Sequence, residues 1–272
     1  MKAVISGKSG FLGKALTEKL ENQGIEVIGI PRELLTQKEE LNQFFHRENP
    51  DYIFHLATHG NMADHDDIDL TWVVNAFGIY TMLAASQQIP YKAFINISSS
   101  SVLLPRSTVY SAGKAAAESL CKAWVDMYGK PIVSIRPSSI TGVGEQESHL
   151  IPKLIDSCLT GEQIPFVPEP THDFIDVSDV VSALLILKER AEDYKGLVFN
   201  VSSNKSYSNQ DVKELVEKLT GKNANVKIKQ TLRSYDTPNW IVNNKNMKAL
   251  GWKPKVSLIL SLVNMIRVSM VN

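Results

Sequence analysis

Short apolar runs alternate with amphipathic stretches along the first half of the chain. The runs are mostly β-branched or aromatic, which is typical of strands that are buried on both faces. They predict strands over 2–5, 26–30, 52–56, 93–97 and 132–135. The stretches between them repeat apolar residues at helical spacing and predict helices over 12–22, 72–88 and 112–128.

The repetition of strand and helix predicts the fold class α/β, with a Rossmann-type doubly wound parallel sheet and right-handed crossovers. After about Gly144 the alternation gives way to Pro-rich pieces and two further helices, over 177–190 and 209–220. We therefore expect a sheet domain over 1–165, with its last strand and helix contributed from about 170–200. Residues 166–272 are expected to form mainly a smaller, interleaved C-terminal α/β lobe.

The composition of the chain argues against nucleic acid and membranes as binding partners. The chain has 29 Lys+Arg and 29 Asp+Glu, so its formal net charge is zero and it has no general field that attracts nucleic acid or anionic membrane. No stretch approaches the roughly 18 uninterrupted apolar residues that a membrane helix needs. The 2 cysteines lack the CxxC spacing of redox or zinc sites. These features predict a cytoplasmic protein that binds neither nucleic acid nor membrane.

Three glycines directly follow the first predicted strand. Gly7, Gly10 and Gly13 form the pattern GxxGxxG at the start of a helix, where backbone N–H groups and the helix dipole can hold a pyrophosphate. A turn that needs positive φ is the alternative explanation, whereas a Walker loop would need glycine where Lys2 stands. We expect dinucleotide contacts from Gly7, Ser9, Gly10, Phe11, Leu12 and Gly13.

The end of the second strand bears on which dinucleotide binds. An acidic residue at this point binds the adenosine ribose of NAD. Here the strand ends Gly29-Ile30-Pro31-Arg32, so the acid is missing and a guanidinium can pair with a 2′-phosphate. This favours NADP as cofactor, with NAD as the alternative. The competing explanation is that Arg32 is a solvated loop residue.

Tyr110 and Lys114 lie four residues apart on a predicted helix and therefore on the same face. A phenol with a pKa near 10 is a poor acid–base catalyst at neutral pH, and a nearby cation lowers that pKa by favouring phenolate. The serine run Ser98 to Ser101 closes a buried strand, where one hydroxyl could bind a substrate oxygen. An ordinary surface pair and an ordinary loop are the alternatives.

Together these features resemble the extended short-chain dehydrogenase/reductase family, whose members mostly act on nucleotide sugars. The resemblance covers nearly the whole chain. Its further motifs are D-x-x-x-H-L-A over 51–57, the helix residue Asn75, Arg136-Pro137 followed by Gly142 and Gly144, D-F-I-x-V-x-D over 173–179 and L-G-W-x-P over 250–254.

The resemblance implies a role for each matching residue. Tyr110 would be the acid/base, Lys114 would orient the nicotinamide ribose and lower the Tyr110 pKa, and Ser100 would bind the reacting oxygen, with Ser99 as the alternative. Further cofactor contacts are implied at Leu56, Ala57, Thr58, Asn75 and Pro137. The implied substrate-binding residues are Ser99, Ser100, His149, His172 and Arg233.

The departures from the family pattern concern the nucleotide. His172 stands where the family usually has an Arg that touches the diphosphate, and His149 stands where it has Asn. Arg233 is the remaining diphosphate candidate. The base of the nucleotide is therefore left open.

Three functions are compatible with this pattern. We expect an NADPH-dependent reduction of a nucleoside-diphosphate 4-keto(-6-deoxy) hexose, and the alternative is an NAD-dependent nucleotide-sugar 4-epimerase. A non-catalytic NADP-sensing or scaffold protein is the third, disfavoured because the tyrosine and the lysine are both present. Dehydration is disfavoured because the serine run offers no carboxylate. By analogy with the family, we expect a homodimer through the helices over 72–88 and 112–128.

One segment contains potential metal ligands, which are His59, Asp64, His65, Asp66, Asp67 and Asp69. The HExxH spacing on a helix is absent. We expect no metal here, and instead a solvated loop with an N-cap before Leu70.

Overall fold

The computed structural model of the chain describes residues 1–61, 67–229, 237 and 240–271. The strands are β1 Lys2–Ser6, β2 Glu26–Ile30, β3 Tyr52–His55, β4 Ala93–Ile97, β5 Ile132–Pro137, β6 Ser139–Thr141, β7 Ile164–Phe166, β8 Thr171–Asp176, β9 Val198–Val201, β10 Ser206–Ser208 and β11 Val226–Ile228. The α-helices are α1 Phe11–Glu21, α2 Lys38–Glu48, α3 Ile68–Trp72, α4 Gly78–Ser86, α5 Val109–Tyr128, α6 Leu150–Thr160, α7 Val177–Arg190, α8 Asn209–Thr220, α9 Lys245–Ala249 and α10 Leu258–Val271. Short 3₁₀ segments cover Arg32–Thr36 and Ser100–Leu103, and a π-helical turn covers Val73–Phe77.

The chain divides into two compact units. The first comprises Met1–Leu103, Ser107–Arg136 and Val181–Phe199, and the second comprises Leu104–Arg106, Pro137–Val180 and Asn200–Asn272. The change from the first unit to the second therefore falls at 136/137, whereas the sequence predicted a boundary near 165. The boundary lies there because β6, which follows β5 almost directly, pairs with β8 and does not belong to the large sheet. Residues 181–199 return to the first unit, within the range of 170–200 that the sequence predicted to do so.

The first unit is built on a six-stranded sheet with the order β2-β1-β3-β4-β5-β9. The pairs β1–β2, β1–β3, β3–β4 and β4–β5 are parallel. This confirms the predicted Rossmann-type fold class. The chain order reverses beside β1, because β2 lies on one side of it and β3 on the other. In open α/β sheets, ligands bind outside the carboxyl ends of the strands at such a reversal.

The core of the first unit packs strands against α2, α4 and α5. Its large buried side chains include Phe45, Ile53, Met82 and Phe94. The continuous helical stretch Ile68–Ser86 is 19 residues long, with a mean hydropathy of 1.3 and 56% of that window buried. This stretch is long and apolar enough to cross a membrane, but Ile79, Met82 and Leu83 belong to the buried core of the first unit. Its apolar character is therefore explained as that of a core helix.

The second unit contains two small sheets. In the order β10-β8-β6, β10 runs antiparallel to β8 and β6 runs parallel to it, and β11 pairs in parallel with β7. Helices α6, α8 and α10 pack into one core with β7 and β8. Asp173, which is fully buried, accepts hydrogen bonds from the backbone N–H groups of Ser203, Asn204 and Val242. One carboxylate thus holds two loops of this unit to β8.

Most of the predicted elements agree closely with observed ones, although several observed elements were not predicted. Strands 26–30 and 93–97 and helices 177–190 and 209–220 have their predicted bounds. The predicted helix 72–88 instead begins at Ile68, because Asp67 caps it by accepting a hydrogen bond from the backbone N–H of Leu70. This confirms the predicted N-cap. Helices α2, α6, α9 and α10 and strands β6, β7, β8, β10 and β11 were not predicted.

Candidate active site

The loop between β1 and α1 is shaped by its glycines. Gly7 has a φ of 76°, and a Cβ there would lie 2.9 Å from the backbone nitrogen of Ala57. A Cβ on Gly13 would lie 2.1 Å from the carbonyl oxygen of Gly7. Gly10 is the N-cap of α1 and has no side chain to cover the helix terminus. Bare backbone therefore meets a helix N-terminus at the end of a central parallel strand, an arrangement that fits a dinucleotide pyrophosphate.

The other predicted loop residues lie beside these glycines. Ser9 is exposed, and Phe11 and Leu12 form the partly buried first turn of α1. These residues are therefore accessible next to the glycine loop, where the sequence predicts dinucleotide contacts.

The end of β3 lies against this loop. Leu56, Ala57 and Thr58 follow the last residue of the strand, His55. The backbone N–H of Ala57 donates to Ser6 Oγ at 3.3 Å, and Ser6 Oγ lies 2.8 Å from His55 Nδ1. Burial, with the charge of Lys114 adding to it, lowers the pKa of His55 to about 3. His55 is therefore a neutral link between the ends of β1 and β3.

Arg32 begins the 3₁₀ segment that follows β2, and it is exposed. It opens onto a groove of about 340 Å³ lined by Arg32, Glu33, Leu35, Thr36, Leu70, Val73 and Val74. The groove is mostly apolar, with one guanidinium and one carboxylate. An apolar groove of this kind fits an adenine, the guanidinium fits a 2′-phosphate, and the carboxylate fits ribose hydroxyls. Glu33 was not considered from the sequence.

Tyr110 and Lys114 lie in the first half of α5, as predicted. Thr108 caps this helix in a capping box with Ser111. The Lys114 side chain is 2% exposed, its Nζ donates to the carbonyl oxygen of Ile97 at 2.9 Å, and Nζ lies 6.0 Å from the centroid of the Tyr110 ring. Burial lowers the pKa of Lys114 to about 8, and the charge of Glu118 opposes that shift. The ammonium is thus held between the end of β4 and the tyrosine.

Glu118 extends the Tyr110–Lys114 face by one more helical turn. Arg136 donates to both of its carboxylate oxygens, with Nε at 2.7 Å and Nη2 at 2.5 Å, and Ser98 Oγ also donates to it. Sequence reasoning missed this pair, although the spacing of four residues from Lys114 was a signal for it. Because Glu118 is already bound by a guanidinium, it is unsuited to act as the carboxylate base of a dehydration.

The hydroxyls of Ser99 and Thr58 lie near the Tyr110 hydroxyl and both act to lower its pKa. Ser100 is buried at the start of a 3₁₀ turn. The structure therefore puts Ser99, the alternative in the sequence prediction, beside the tyrosine. Burial of the hydroxyl is the largest influence on the Tyr110 pKa and raises it. The sequence predicted a lowered pKa, but Lys114 is bound to the Ile97 carbonyl and not to the phenol oxygen.

Asn75 lies in the π-helical turn Val73–Phe77 and is 1% exposed. Its Oδ1 accepts from Thr58 Oγ1 at 3.0 Å and from the backbone N–H of His59 at 3.2 Å, and its Nδ2 donates to the carbonyl oxygen of His59 at 2.6 Å. A Cβ on Gly113 of α5 would lie 3.1 Å from the Asn75 Cβ. Asn75 therefore positions the segment after β3 against the helix that carries Tyr110.

The remaining predicted site residues lie in the second unit or outside the described residues. Pro137 ends β5 and is buried. His149 is the N-cap of α6, and its Nδ1 lies 3.0 Å from Glu145 Oε1. The ring centroid of His172, on β8, lies 5.3 Å from that of Trp240. Arg233 is outside the described residues, as are residues 62–66 of the segment with potential metal ligands.

The first unit therefore collects at one sheet edge a glycine cradle, an adenosine-sized groove, a buried lysine, a phenol and two hydroxyls. A phenol held protonated beside hydroxyl donors can give a proton to a carbonyl oxygen, and a preorganised donor set stabilises the charge that develops there. The loop between β1 and α1 suits a nicotinamide dinucleotide, because it has no room for side chains at Gly7 and Gly13 and lies at the N-terminus of α1.

The burial of Lys114 leads to a prediction about stability. Below about pH 8 native Lys114 is charged, and burying this charge makes folding less favourable. We expect Lys114→Met to raise the free energy of unfolding at pH 7 by about 1–3 kcal/mol, after the lost hydrogen bond is allowed for. Between pH 8 and 10.5 the native protein has released the proton while the unfolded chain still binds it, so the wild type gains stability with pH and the difference shrinks.

Urea unfolding at pH 7 and pH 10 measures this effect. Lys122→Met on the same helix is the control, because Lys122 is exposed and pairs with Asp126, and it should change stability by no more than about 0.5 kcal/mol. A Lys114→Met protein less stable than the wild type at pH 7 would contradict the prediction.

Comparison with known proteins identifies the family. The family model "NAD dependent epimerase/dehydratase family" matches residues 3–202. The chain is 26% identical to GDP-L-fucose synthase 1 of Arabidopsis thaliana over 94% of this chain and 89% of that protein, and 27% identical to CDP-abequose synthase of Salmonella typhimurium over 92% of each. UDP-glucose 4-epimerase of Thermotoga maritima, solved with UDP-glucose, has the same fold, with a TM-score of 0.88, 22% identity and 100% of each chain covered. The chain therefore belongs to the NAD-dependent epimerase/dehydratase family.

Proposed function

We propose that this protein is an NADPH-dependent reductase of a nucleoside-diphosphate 4-keto(-6-deoxy) hexose. The observation that carries the proposal is the placing of Tyr110 on α5, with the buried Lys114 ammonium 6.0 Å from its ring and bound to the end of β4, and with burial of the Tyr110 hydroxyl raising its pKa. Reduction of a ketone requires a phenol that can donate its proton, and this environment favours the phenol over the phenolate.

Each group of site residues has a separate role in the proposed reaction. When bound, NADPH supplies the hydride chemistry. The glycine loop and the N-terminus of α1 would hold its pyrophosphate, Arg32 its 2′-phosphate and Lys114 its nicotinamide ribose. Tyr110 would give its proton to the ketone oxygen, while Ser99, or Ser100 as the sequence favoured, donates a hydrogen bond to the same oxygen.

The comparisons support the substrate class. GDP-L-fucose synthase and CDP-abequose synthase are both named for a nucleotide-linked deoxysugar. Their bases differ, and this chain has His149 and His172 where its extended family usually has Asn and Arg. Both histidines, together with Pro137 and Arg233, remain proposed ligand contacts, and the base is undetermined.

An NAD-dependent 4-epimerase is the second candidate. Glu33 lines the same groove as Arg32 and offers a carboxylate to ribose hydroxyls, as NAD would require. An epimerase must both oxidise and reduce its sugar while the cofactor stays bound. A tightly retained NAD on the purified protein would therefore favour this reaction.

Turnover tests the proposal directly. We expect the protein to oxidise NADPH when it is mixed with members of a panel of GDP-, CDP-, UDP- and dTDP-linked 4-keto-6-deoxy sugars, followed by nicotinamide absorbance. Tyr110→Phe should lower kcat by roughly 100-fold or more while cofactor binding persists, because a positioned general acid contributes about that factor. Turnover that survives in Tyr110→Phe would show that the assigned chemistry is wrong.

Cofactor choice gives a separate prediction. Arg32→Ala should weaken NADPH binding by roughly 10- to 100-fold, since a charge-assisted hydrogen bond is worth about 1.5–3 kcal/mol, and should leave NADH binding nearly unchanged. Fluorescence titration measures both affinities. Arg47→Ala is the matched control, because Arg47 is exposed and pairs with Glu48. An equal loss for both cofactors would assign Arg32 to some other role.

We also propose that the protein forms a homodimer through the helices predicted over 72–88 and 112–128, which correspond to the helical stretch Ile68–Ser86 and to α5. Ring contacts run from Phe77 to Tyr80, from Tyr80 to Trp124 and from Trp124 to Tyr128, with centroids 5.8 to 6.0 Å apart. Phe77 is 44% exposed and Tyr128 is 41% exposed. Exposed aromatic rings that are continuous across two helices support a protein–protein interface.

Light scattering after size-exclusion chromatography tests the dimer. We expect Phe77→Glu to shift the wild-type dimer to monomer, because it places a charge in an apolar interface. Ile228→Glu is the control, since Ile228 is an exposed apolar residue on β11. A wild-type monomer, or a Phe77→Glu dimer of unchanged affinity, would contradict this proposal.

A cytoplasmic location is proposed as well. It is supported by Cys121 and Cys158, which are both buried and unpaired, as expected in a reducing compartment.

A further inference from the structure

Helix α10 is apolar on its exposed side as well as on its buried side. Leu262, Met265 and their neighbours belong to the core of the second unit. By helical periodicity the opposite side, which we call the α10 face, consists of Ile259, Leu260, Val263, Asn264, Arg267, Met270 and Val271. Ile259, Leu260 and Met270 are 49%, 46% and 60% exposed. A helix that is apolar on all sides is normally covered on all sides.

Helix α8 packs into the same core and has the usual pattern of a surface helix. Its buried residues include Val212 and Val216, and the exposed ones are Asp211, Glu214 and Lys218, which are all charged. Helix α10, by contrast, contains a single charged residue, Arg267. The apolar exterior is therefore a property of α10 and not of the surface of this unit as a whole.

The segment that contains α10 is also basic. Residues 237–272 contain 4 Lys, 1 Arg and no Asp or Glu, whereas the whole chain has 29 basic and 29 acidic residues, so residues 1–236 carry a net charge of −5. The lysines precede α10 and are all exposed, and they are Lys245, Lys248, Lys253 and Lys255. The net charge of zero, from which the sequence predicted no membrane binding, therefore combines an acidic region with a basic one.

Two acids that hold this segment lie on its buried side. Asp179, which is buried, accepts hydrogen bonds from the backbone N–H groups of Lys255 and Val256, both at 2.9 Å. Asp176 accepts from Ser261 Oγ at 2.6 Å, and Ser261 is on the buried side of α10. These bonds fix the start of the helix and leave the α10 face turned outwards.

We propose that the α10 face and the four lysines before it form a docking surface for a membrane that contains anionic phospholipid. Apolar residues on one side of a helix, together with nearby cations, allow a helix to lie at the boundary between headgroups and acyl chains. The lysines would contact anionic headgroups, and Arg267 can extend its guanidinium to them while its methylenes stay among the apolar residues. This partner is independent of the proposed reaction, and it leaves the chain on the surface of the bilayer.

A second copy of the chain is a less suitable occupant of this surface. Two α10 faces in contact would bring together the five cations of each copy, and like charges oppose association. An anionic lipid surface covers the apolar residues and neutralises the cations at the same time.

Flotation with lipid vesicles tests the proposal on the full chain. At low salt we expect the protein to float with phosphatidylcholine vesicles that contain roughly one-third phosphatidylserine, and to remain unbound with phosphatidylcholine alone. Salt at about 1 M should weaken the binding roughly 10-fold or more, because it shortens the range of the electrostatic attraction to about 3 Å.

Two variants separate the apolar contribution from the charged one. Leu260→Gln keeps every cation and should weaken vesicle binding roughly 10-fold, as expected when one leucine side chain is no longer buried. Lys253→Gln combined with Lys255→Gln keeps the α10 face and should weaken binding roughly 25-fold, since each cation near an anionic surface contributes about fivefold.

Ile228→Gln and Lys19→Gln are the matched controls. Ile228 is an exposed apolar residue on β11, and Lys19 is an exposed lysine on α1. Both variants should bind vesicles like the wild type. Circular dichroism melts establish that each variant is folded.

The proposal is overturned if the wild type stays unbound with the anionic vesicles, floats equally with phosphatidylcholine alone, or floats no better than Leu260→Gln. Light scattering gives a second check, because Leu260→Gln should leave the oligomeric state unchanged. Conversion of a wild-type dimer to monomer by Leu260→Gln would assign the α10 face to a second copy of the chain and overturn the proposal. Neither measurement uses cofactor or sugar, so both outcomes are independent of the proposed function.

Discussion

The buried ammonium of Lys114 is the constraint on which the candidate site depends. A lysine that is 2% exposed has lost nearly all of its hydration, and its surroundings must replace that hydration. The carbonyl oxygen of Ile97 accepts its hydrogen bond at the end of β4, and the Glu118–Arg136 pair lies one turn further along α5. These contacts tie α5 to β4 and β5. The helix that carries Tyr110 is thereby held against the sheet edge where the ligands of α/β folds bind.

On the opposite side of that edge, the backbone packs closely because Gly7 and Gly13 have no side chains. Gly7 and Gly13 allow the β1–α1 loop to approach Ala57 and its own backbone more closely than any Cβ would permit. The segment after β3 is thus pressed against the loop, and Asn75 holds the same segment from its other side. Thr58 lies where these restraints meet. Its hydroxyl direction is consequently a product of backbone geometry on two elements.

The electrostatics of the site favour a general acid. Burial keeps the Tyr110 pKa high, and it keeps Lys114 closer to neutrality than a solvated lysine. Both shifts have the same cause, the exclusion of water from the sheet edge. In the protein without ligands, the proton therefore remains on the Tyr110 hydroxyl. A bound dinucleotide would add negative charge and exclude more water, and both effects disfavour the phenolate further.

The amino-acid sequence by itself determined the parallel α/β fold, most of the strands of the large sheet, the glycine cradle and the Tyr110–Lys114 pair. These follow from local periodicity and spacing, since period and spacing depend only on neighbours along the chain. Only the tertiary structure decided the unit boundary at 136/137, the pairing of Glu118 with Arg136, the place of Ser99 beside Tyr110 and the raised Tyr110 pKa. Each of these depends on residues far apart in sequence, and a pKa depends on how much water the folded chain excludes.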